Sequence, residues 1–236
     1  MRLPAPEQRE QQILSLWERG AGLARFDRED ALLAGMGNRV TALGARNAAL
    51  LSLRSQLFDG AWPLKSCCPA CGSDCEFEAD SLSLSEALKA LPSQRETQAE
   101  IAGRRVQLRA PTVDDLKFVA ARRETASATA ALLARCVSGD IALDDSDADV
   151  IAGLEALIER LDPGAVVSFA LDCPQCAHSW SAPIDVGDAL WTELKRAAER
   201  SLIEADALAR AYGWTESEIF RLSPIRRAAY LQLIGA

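Results

Sequence analysis

Two short cysteine turns decide how this chain folds. The first lies in SCCPACGSDCEFE, residues 66–78, and the second lies in LDCPQCAHSWSAP, residues 171–183. Each stretch contains a Cys-Pro-x-Cys knuckle beside residues of strand character, and the two-residue spacing lets both sulfurs of a knuckle face one ion. Two such knuckles supply the four thiolates of a closed tetrahedral site. We therefore predict one structural zinc ion, held by Cys68, Cys71, Cys173 and Cys176.

The two knuckles stand about 100 positions apart, whereas compact zinc ribbons use a shorter separation. The sequence therefore predicts a small zinc-ribbon hairpin module that is split by a helical insertion. Such an insertion costs only loop-closure entropy, which grows slowly with length. Once bound, the ion would fasten residue 68 to residue 176 and fix how the insertion sits on the rest of the chain.

Hydrophobic periodicity and end signals outside the knuckles predict mainly helices, so the expected fold class is α+β, mainly α. Helices are predicted at 7–19, from a cap at Asp27 to 36, at 41–57 and from Asp185 to about 212. Residues 93–100 and 140–149 are predicted to be loops, and 106–108 a strand. The predicted regions are an N-terminal helical region (1–62), the first knuckle (63–81), the helical insertion (82–162), the second knuckle hairpin (163–185) and a C-terminal helical region (186–236).

Three further cysteines and the single histidine leave the ligand set partly open. Cys67 and Cys75 flank the first knuckle, and His178 follows the second, so each is a possible substitute ligand. Cys75 is more typical of a packing position, and His178 of a hairpin surface position. Cys136 lies in an apolar helical run, which predicts a core thiol.

Bulk composition narrows the classes of function. The 236 residues are 49% hydrophobic and carry a formal net charge of −8, which disfavours both disorder and nucleic-acid binding. The arginines near 104–109 and 122–123 are interpreted as solvated faces. No run is long enough to cross a membrane, and residues 1–9 lack the apolar core of a signal peptide. We expect a protein that stays in the cytoplasm.

Catalysis is not expected from these residues. Four cysteines close a zinc shell, and common nucleophile, phosphate-loop and zinc-protease motifs are missing. Two alternatives stay open: a zinc-ribbon adaptor that binds nucleic acid or transcription machinery, and a thiol-disulfide oxidoreductase. A site that has lost its metal and plain buried cysteines are the other readings of the four sulfurs. We predict a non-enzymatic protein that works through protein–protein contacts.

Several segments resemble a known family. The C-terminal segments AYGWTESEI, residues 211–219, and LSPIRRAAYL, residues 222–231, look like the end of the T-even-type baseplate hub assembly chaperone family of tailed phages. LGARN at 43–47, the central segment around 106–116 and CPQCAHSW at 173–180 are similar to other parts of that family. The chain departs from it by having Ala177 where glycine is expected, and by the extra Cys67 and Cys75.

The resemblance implies a role in assembling or forming the baseplate hub of a contractile tail, encoded by a phage or a prophage. Its implied partners are tail baseplate and hub proteins, with no nucleic acid and no membrane. The implied location is the cytoplasm of the bacterial host or the virion tail.

The C-terminal apolar residues, which include Trp214, Ile219, Phe220, Leu222, Tyr230 and Leu233, can be read in two ways. Most of them are expected to cap the domain's own core. The functional reading is that a tail protein docks on an aromatic and basic surface there, with the candidate residues Trp214, Arg226, Arg227 and Tyr230.

Overall fold

The computed structural model describes residues 6–36, 40–101, 103–120, 122, 125–139 and 148–235. In these ranges the chain is α+β and mainly helical, which confirms the predicted class. The helices are α1 (Pro6–Gly20), α2 (Arg25–Leu33), α3 (Leu43–Leu57), α4 (Ser81–Ala90), α5 (Val113–Val119), α6 (Thr125–Cys136), α7 (Ala148–Leu161), α8 (Val186–Tyr212), α9 (Glu216–Phe220) and α10 (Pro224–Ile234). The strands are β1 (Trp62–Cys67), β2 (Asp74–Ala79), β3 (Glu96–Ile101), β4 (Arg104–Arg109), β5 (Val137–Gly139), β6 (Val167–Asp172) and β7 (Ser179–Ile184).

The main core lies between the N-terminal helices, the first half of α8 and the two cysteine hairpins. Helix α8 contributes Leu190, Leu194 and Ala198, which are fully buried at helical spacing. Asp185 caps the start of α8, and Gly213 ends it in the left-handed conformation with a φ of 69°. Both ends therefore agree with the sequence prediction.

Helix α3 is fastened to the turn that precedes the second hairpin. Gly44 lies against Gly164 so closely that an added Cβ would come within 3.0 Å of the Gly164 backbone. The buried Asp162 carboxylate accepts a hydrogen bond of 2.9 Å from the Gly44 N–H, and the Asn47 amide donates to the carbonyls of Gly164 and Ala165. This contact brings the two ends of the insertion together independently of any metal.

A buried guanidinium group joins α3 to α8 and to the first hairpin. Arg54 is only 2% exposed, and its guanidinium group donates to both carboxylate oxygens of Glu193 on α8 at 3.1 and 2.9 Å. The same group donates to the carbonyls of Gly60 and Ala61 just before β1. Because the charge is buried and paired, its loss would leave Glu193 without a partner.

The insertion is not purely helical, so that prediction is corrected. Strands β3, β4 and β5 form an antiparallel three-stranded sheet, and β3 occupies part of the segment 93–100 that was predicted to be a loop. Within 93–100 its inward side chains, Thr97 and Ala99, are small or only moderately apolar, which hides the alternation typical of a strand. With α6 and α7 the sheet forms a second apolar core of its own.

Several predicted boundaries shift. Strand β1 begins at Trp62, within the region predicted to be helical, and pairs with β2 although it contains Pro63. Helix α2 begins at Arg25, so Asp27 lies in its first turn and is not the cap. Helix α3 begins at Leu43 rather than at 41. Of the predicted acidic loop 140–149, residues 140–147 lie outside the described ranges.

The last two helices pack on the second half of α8 as a third apolar cluster, centred on Ala205, Leu208 and Ile219. Thr215 and Glu218 form a capping box at α9, and the Ser223 hydroxyl caps α10. None of the helices in the described ranges has both the length and the apolar character needed to cross a bilayer.

Candidate metal centre

Each pair of knuckle cysteines sits at the tip of a two-stranded hairpin. In the first, the Cys68 N–H donates to the Ser73 carbonyl and the Gly72 N–H donates to the Cys68 carbonyl, both at 2.9 Å. In the second, the Cys173 N–H donates to the His178 carbonyl and the Ala177 N–H donates to the Cys173 carbonyl, also at 2.9 Å. The backbone bonds close both tips in the same way and leave two sulfurs per tip on one side.

The two hairpins are equivalent residue by residue, with a constant offset of 105 between positions 68 and 173. Trp62 pairs with Ala79 in the first hairpin, and the residues 105 positions later, Val167 and Ile184, pair in the second. The equivalence continues into the next helix, where Asp80 caps α4 and Asp185 caps α8. The paired cysteines are evident in the sequence, but this longer repeat is not, because the two hairpins have few other residue types in common at equivalent positions.

The four predicted ligand sulfurs form one compact cluster. The Sγ atoms of Cys68 and Cys176 are 3.7 Å apart, those of Cys71 and Cys173 are 3.6 Å apart, and all four lie within 4.8 Å of one another. Four sulfurs at about 2.3 Å from a tetrahedral ion are separated by about 3.8 Å, so the observed spacing suits a metal ion. All seven cysteines are free of disulfides. The cluster can therefore hold one ion through four thiolates.

Burial differs within each knuckle. Cys68 and Cys173, the first cysteines, are 1% and 3% exposed, whereas Cys71 and Cys176 are exposed at the surface. The cluster is therefore anchored in the protein on one side and open to solvent on the other. Cys75 and Trp180, which are equivalent positions of the two hairpins, pack against the buried side.

Backbone and hydroxyl donors stabilise negative charge on part of the cluster. Burial would raise the pKa of Cys173, but the backbone N–H groups of Gln175 and Cys176 hold it at about 6. The Ser73 hydroxyl and backbone N–H lower the pKa of Cys71. Contacts with the neighbouring sulfurs, together with burial, raise the pKa of Cys176 to about 12, although the backbone N–H of His178 acts to lower it. Because thiolates are the metal-binding form, these donors favour ligation.

The other candidate ligands lie outside the cluster of four. Burial raises the pKa of Cys75 to about 11, which keeps it a packed thiol, as predicted. Cys67 is exposed, with its Sγ atom 3.3 Å from the Gly72 carbonyl oxygen. His178 is exposed and stacks on Trp180, and Cys136 is buried in the core of the insertion, as predicted.

The knuckles do not have the geometry of a dithiol redox centre. Such a centre places one Cys-x-x-Cys motif at the N-terminus of a helix, where the helix dipole stabilises the thiolate. Here Cys68 and Cys173 each follow the first strand of a hairpin, and two motifs converge on one point. This arrangement is typical of a structural metal site.

The predicted docking residues lie together at the C-terminus but differ in exposure. Trp214 and Tyr230 pack edge to face at 4.9 Å with Tyr212 beside them, and Arg226 is exposed. Arg227, in contrast, is 2% exposed and donates to both carboxylate oxygens of Glu10 on α1. The expectation that Arg227 is a surface anchor is therefore wrong, because its side chain fastens α10 to α1.

Two further apolar side chains of α10 are uncovered, of which Leu233 was expected in the compact apolar set of the C-terminus and Ile225 was not. Ile225 is 84% exposed and Leu233 is 76% exposed, and they lie eight positions apart on the outward face of α10 with Ala229 between them. The spacing of four residues places all three on one side of the helix. Together with the half-buried Trp214 and Tyr230 and the exposed Arg226, they form what we call the C-terminal surface.

Comparisons of the chain with protein-family models, with curated proteins and with solved structures found no match.

The equivalent tip positions Gly72 and Ala177 give a matched pair of stability predictions. Both have a positive φ, 75° and 58°, and Ala177 is the one non-glycine residue with positive φ in the described ranges. A left-handed residue with a Cβ costs about 1–2 kcal/mol, so Ala177→Gly is expected to stabilise the metal-loaded protein by about 1 kcal/mol. Gly72→Ala should destabilise it by a similar amount, because open space around Gly72 leaves only the backbone cost. Urea unfolding measures both, and changes of the same sign would contradict the argument.

Proposed function

We propose that this protein is a non-enzymatic assembly chaperone or component of a contractile phage tail baseplate or hub, held in shape by one structural zinc ion. The observation that carries the proposal is the C-terminal surface. The segments that resemble the baseplate family lie there, and apolar side chains in the same region are exposed to solvent. Tryptophan, tyrosine and arginine are the side chains enriched at binding hot spots, and the exposed Ile225 and Leu233 add uncovered apolar area on the same helix.

Zinc is the ion that this ligand set favours. Soft thiolate ligands in tetrahedral geometry select zinc or iron–sulfur clusters over magnesium and calcium, and single-ion sites with four cysteines are typical of structural zinc. Four protein ligands leave no open position for water or substrate, which supports a structural role rather than a catalytic one. The ion would hold the two hairpins together, and the hairpins in turn position the start of α8.

The partner would be a tail baseplate or hub protein that lays an apolar segment along α10. The outward face of α10 offers Ile225, Ala229 and Leu233, in which the small central residue lets another helix approach closely. Arg226 beside this face would pair with an acidic residue at the rim of the contact. The buried pair of Arg227 and Glu10 keeps α10 fixed for this contact.

Coexpression with the tail tube, hub and spike proteins from the same phage or prophage gene cluster tests the proposal. We expect a complex with one of these proteins on size-exclusion chromatography. Ile225→Asp should weaken that complex at least about tenfold, because it places a charge in the centre of an apolar contact. Ile203→Asp is the matched control, since Ile203 is 69% exposed on α8 outside the C-terminal surface.

Two outcomes would contradict the proposal. One is that the folded, metal-loaded protein forms no complex with any of these tail proteins. The other is equal weakening by Ile225→Asp and Ile203→Asp, which would remove the C-terminal surface as the contact.

A further inference from the structure

A second polar site lies in the insertion, on the face of the three-stranded sheet that faces away from α7. There β4, β5 and the end of α6 border an open cavity of about 220 Å³.

 The cavity is lined by Gln107, Arg109, Arg135 and Ser138, with Glu96, Cys136 and Val137 completing its wall. Two of these side chains, Arg109 and Arg135, carry guanidinium groups, so the wall of the cavity presents two positive charges.

A buried carboxylate holds both guanidinium groups in position. Asp115 is fully buried and accepts hydrogen bonds from Arg109 Nη1 and Nη2 at 2.6 and 2.9 Å and from Arg135 Nε at 2.6 Å. Burial would raise the pKa of Asp115, but these two arginines and Thr112 hold it well below its usual range, so the carboxylate stays charged. Asp115 thus pairs with both guanidinium groups, and with Glu96 at the same wall the formal charges of these four side chains balance.

The two guanidinium groups remain accessible although they are held. The side chains of Arg109 and Arg135 are 38% and 37% exposed. The guanidinium group of Arg135 lies 4.5 Å from the ring centroid of Phe118, and that of Arg122 lies 4.7 Å from the same ring. Stacking on an aromatic ring and pairing with Asp115 restrict the motion of Arg135, so little conformational entropy is lost when a ligand binds.

The other polar groups at the cavity act in opposite directions. The amide of Gln107 and the hydroxyl of Ser138 are donors that can hydrogen-bond an anion. Glu96 carries a negative charge at the same wall and accepts a hydrogen bond of 3.1 Å from the Gln107 amide. An anion that enters the cavity must compete with Glu96 for the Gln107 amide. Removing the charge of Glu96 should therefore strengthen anion binding.

We propose that this cavity is an oxyanion-binding site, in which Arg109 and Arg135, supported by Gln107 and Ser138, bind a carboxylate or phosphate group. Arginine suits this chemistry because each guanidinium group carries five N–H donors, so donors remain beyond the hydrogen bonds to Asp115. The site lies in the insertion and involves neither the metal cluster nor the C-terminal surface, so it stands apart from the proposed function. A carboxylate would come from an acidic protein segment, and a phosphate from a phosphorylated one or from the free ion.

Titrations with inorganic phosphate and with acetate, followed by the backbone amide signals of Gln107, Arg109 and Ser138 in ¹H–¹⁵N spectra, test this site. Sodium chloride at matched ionic strength is the reference. We expect saturable shifts at these amides with both oxyanions but not with chloride. An acidic peptide and a phosphoserine peptide of the same length then distinguish the two sources by which binds more tightly.

The test uses substitutions that leave the ion pairs of Asp115 intact, so that a change in phosphate binding is not caused by unfolding. Gln107→Glu should weaken phosphate binding by about tenfold because it places a negative charge in the cavity, and Glu96→Gln should strengthen it. Gln232→Glu, on the exposed face of α10, changes the net charge equally and should have no effect. Shifts that match those caused by chloride, or equal weakening by Gln107→Glu and Gln232→Glu, would overturn the proposal.

Discussion

A Cys173→Ser variant is expected to lose its bound metal ion, which we propose is zinc, and most of its cooperative fold. Structural zinc with cysteine ligands contributes apparent binding free energies of about 10–16 kcal/mol, which is as large as the whole net stability of a typical protein, about 5–15 kcal/mol. Cys173 is a buried member of the sulfur cluster, and its hairpin leads directly into α8. Elemental analysis should find one zinc per chain in the parent protein and much less in the variant, and thermal unfolding should lose its sharp transition.

Cys67→Ser is the matched control for this experiment. Cys67 is adjacent in sequence to a ligand, is exposed and lies outside the group of four. We expect its zinc content and unfolding midpoint to equal those of the parent. A Cys173→Ser variant that melts like the parent, or a freshly prepared, reduced parent without bound metal, would remove the structural role of the ion.

Replacing Arg54 by methionine is expected to destabilise the protein by about 3–5 kcal/mol, the usual cost of removing one partner of a buried ion pair. The loss leaves Glu193 half-buried without its cation and the carbonyls of Gly60 and Ala61 without their donor. The effect should be measured by urea unfolding of the metal-loaded protein. Its zinc content should remain that of the parent, because no ligand changes.

Arg210→Met is the control for a lost ion pair. Arg210 pairs with Asp206 one turn earlier on α8, where both side chains are largely exposed. Exposed pairs of this kind contribute about 0.3–0.5 kcal/mol, so its unfolding midpoint should barely move. If Arg54→Met were as mild as Arg210→Met, the buried pair with Glu193 would not be what joins α3 to α8.

The parts of the fold that could be predicted from sequence are those set by neighbours in sequence. The ligand pairs follow from a two-residue spacing, and the caps at Asp185, Thr215 and Ser223 follow from side chains that bond their own helix within three positions. The convergence of Cys68 on Cys176 could also be inferred, because four soft ligands need one ion.

The parts that could not be predicted depend on distant residues. Arg227 is buried because Glu10 meets it from 217 positions away, and no local pattern signals that pair. Strand β3 was missed because Thr97 and Ala99, its inward side chains before Ile101, are weakly apolar and its stability comes from pairing with β4. The cavity at Arg109 and Arg135 likewise depends on Asp115 from another element, so the sequence alone indicated only a solvated face at Arg109.

The shared register of the two hairpins also bears on ancestry. Duplication and fusion of one ancestral segment would leave this arrangement, in which strand pairing, knuckle and capping aspartate recur in the same order. Both tips keep the same left-handed backbone position, occupied by Gly72 in one hairpin and by Ala177 in the other.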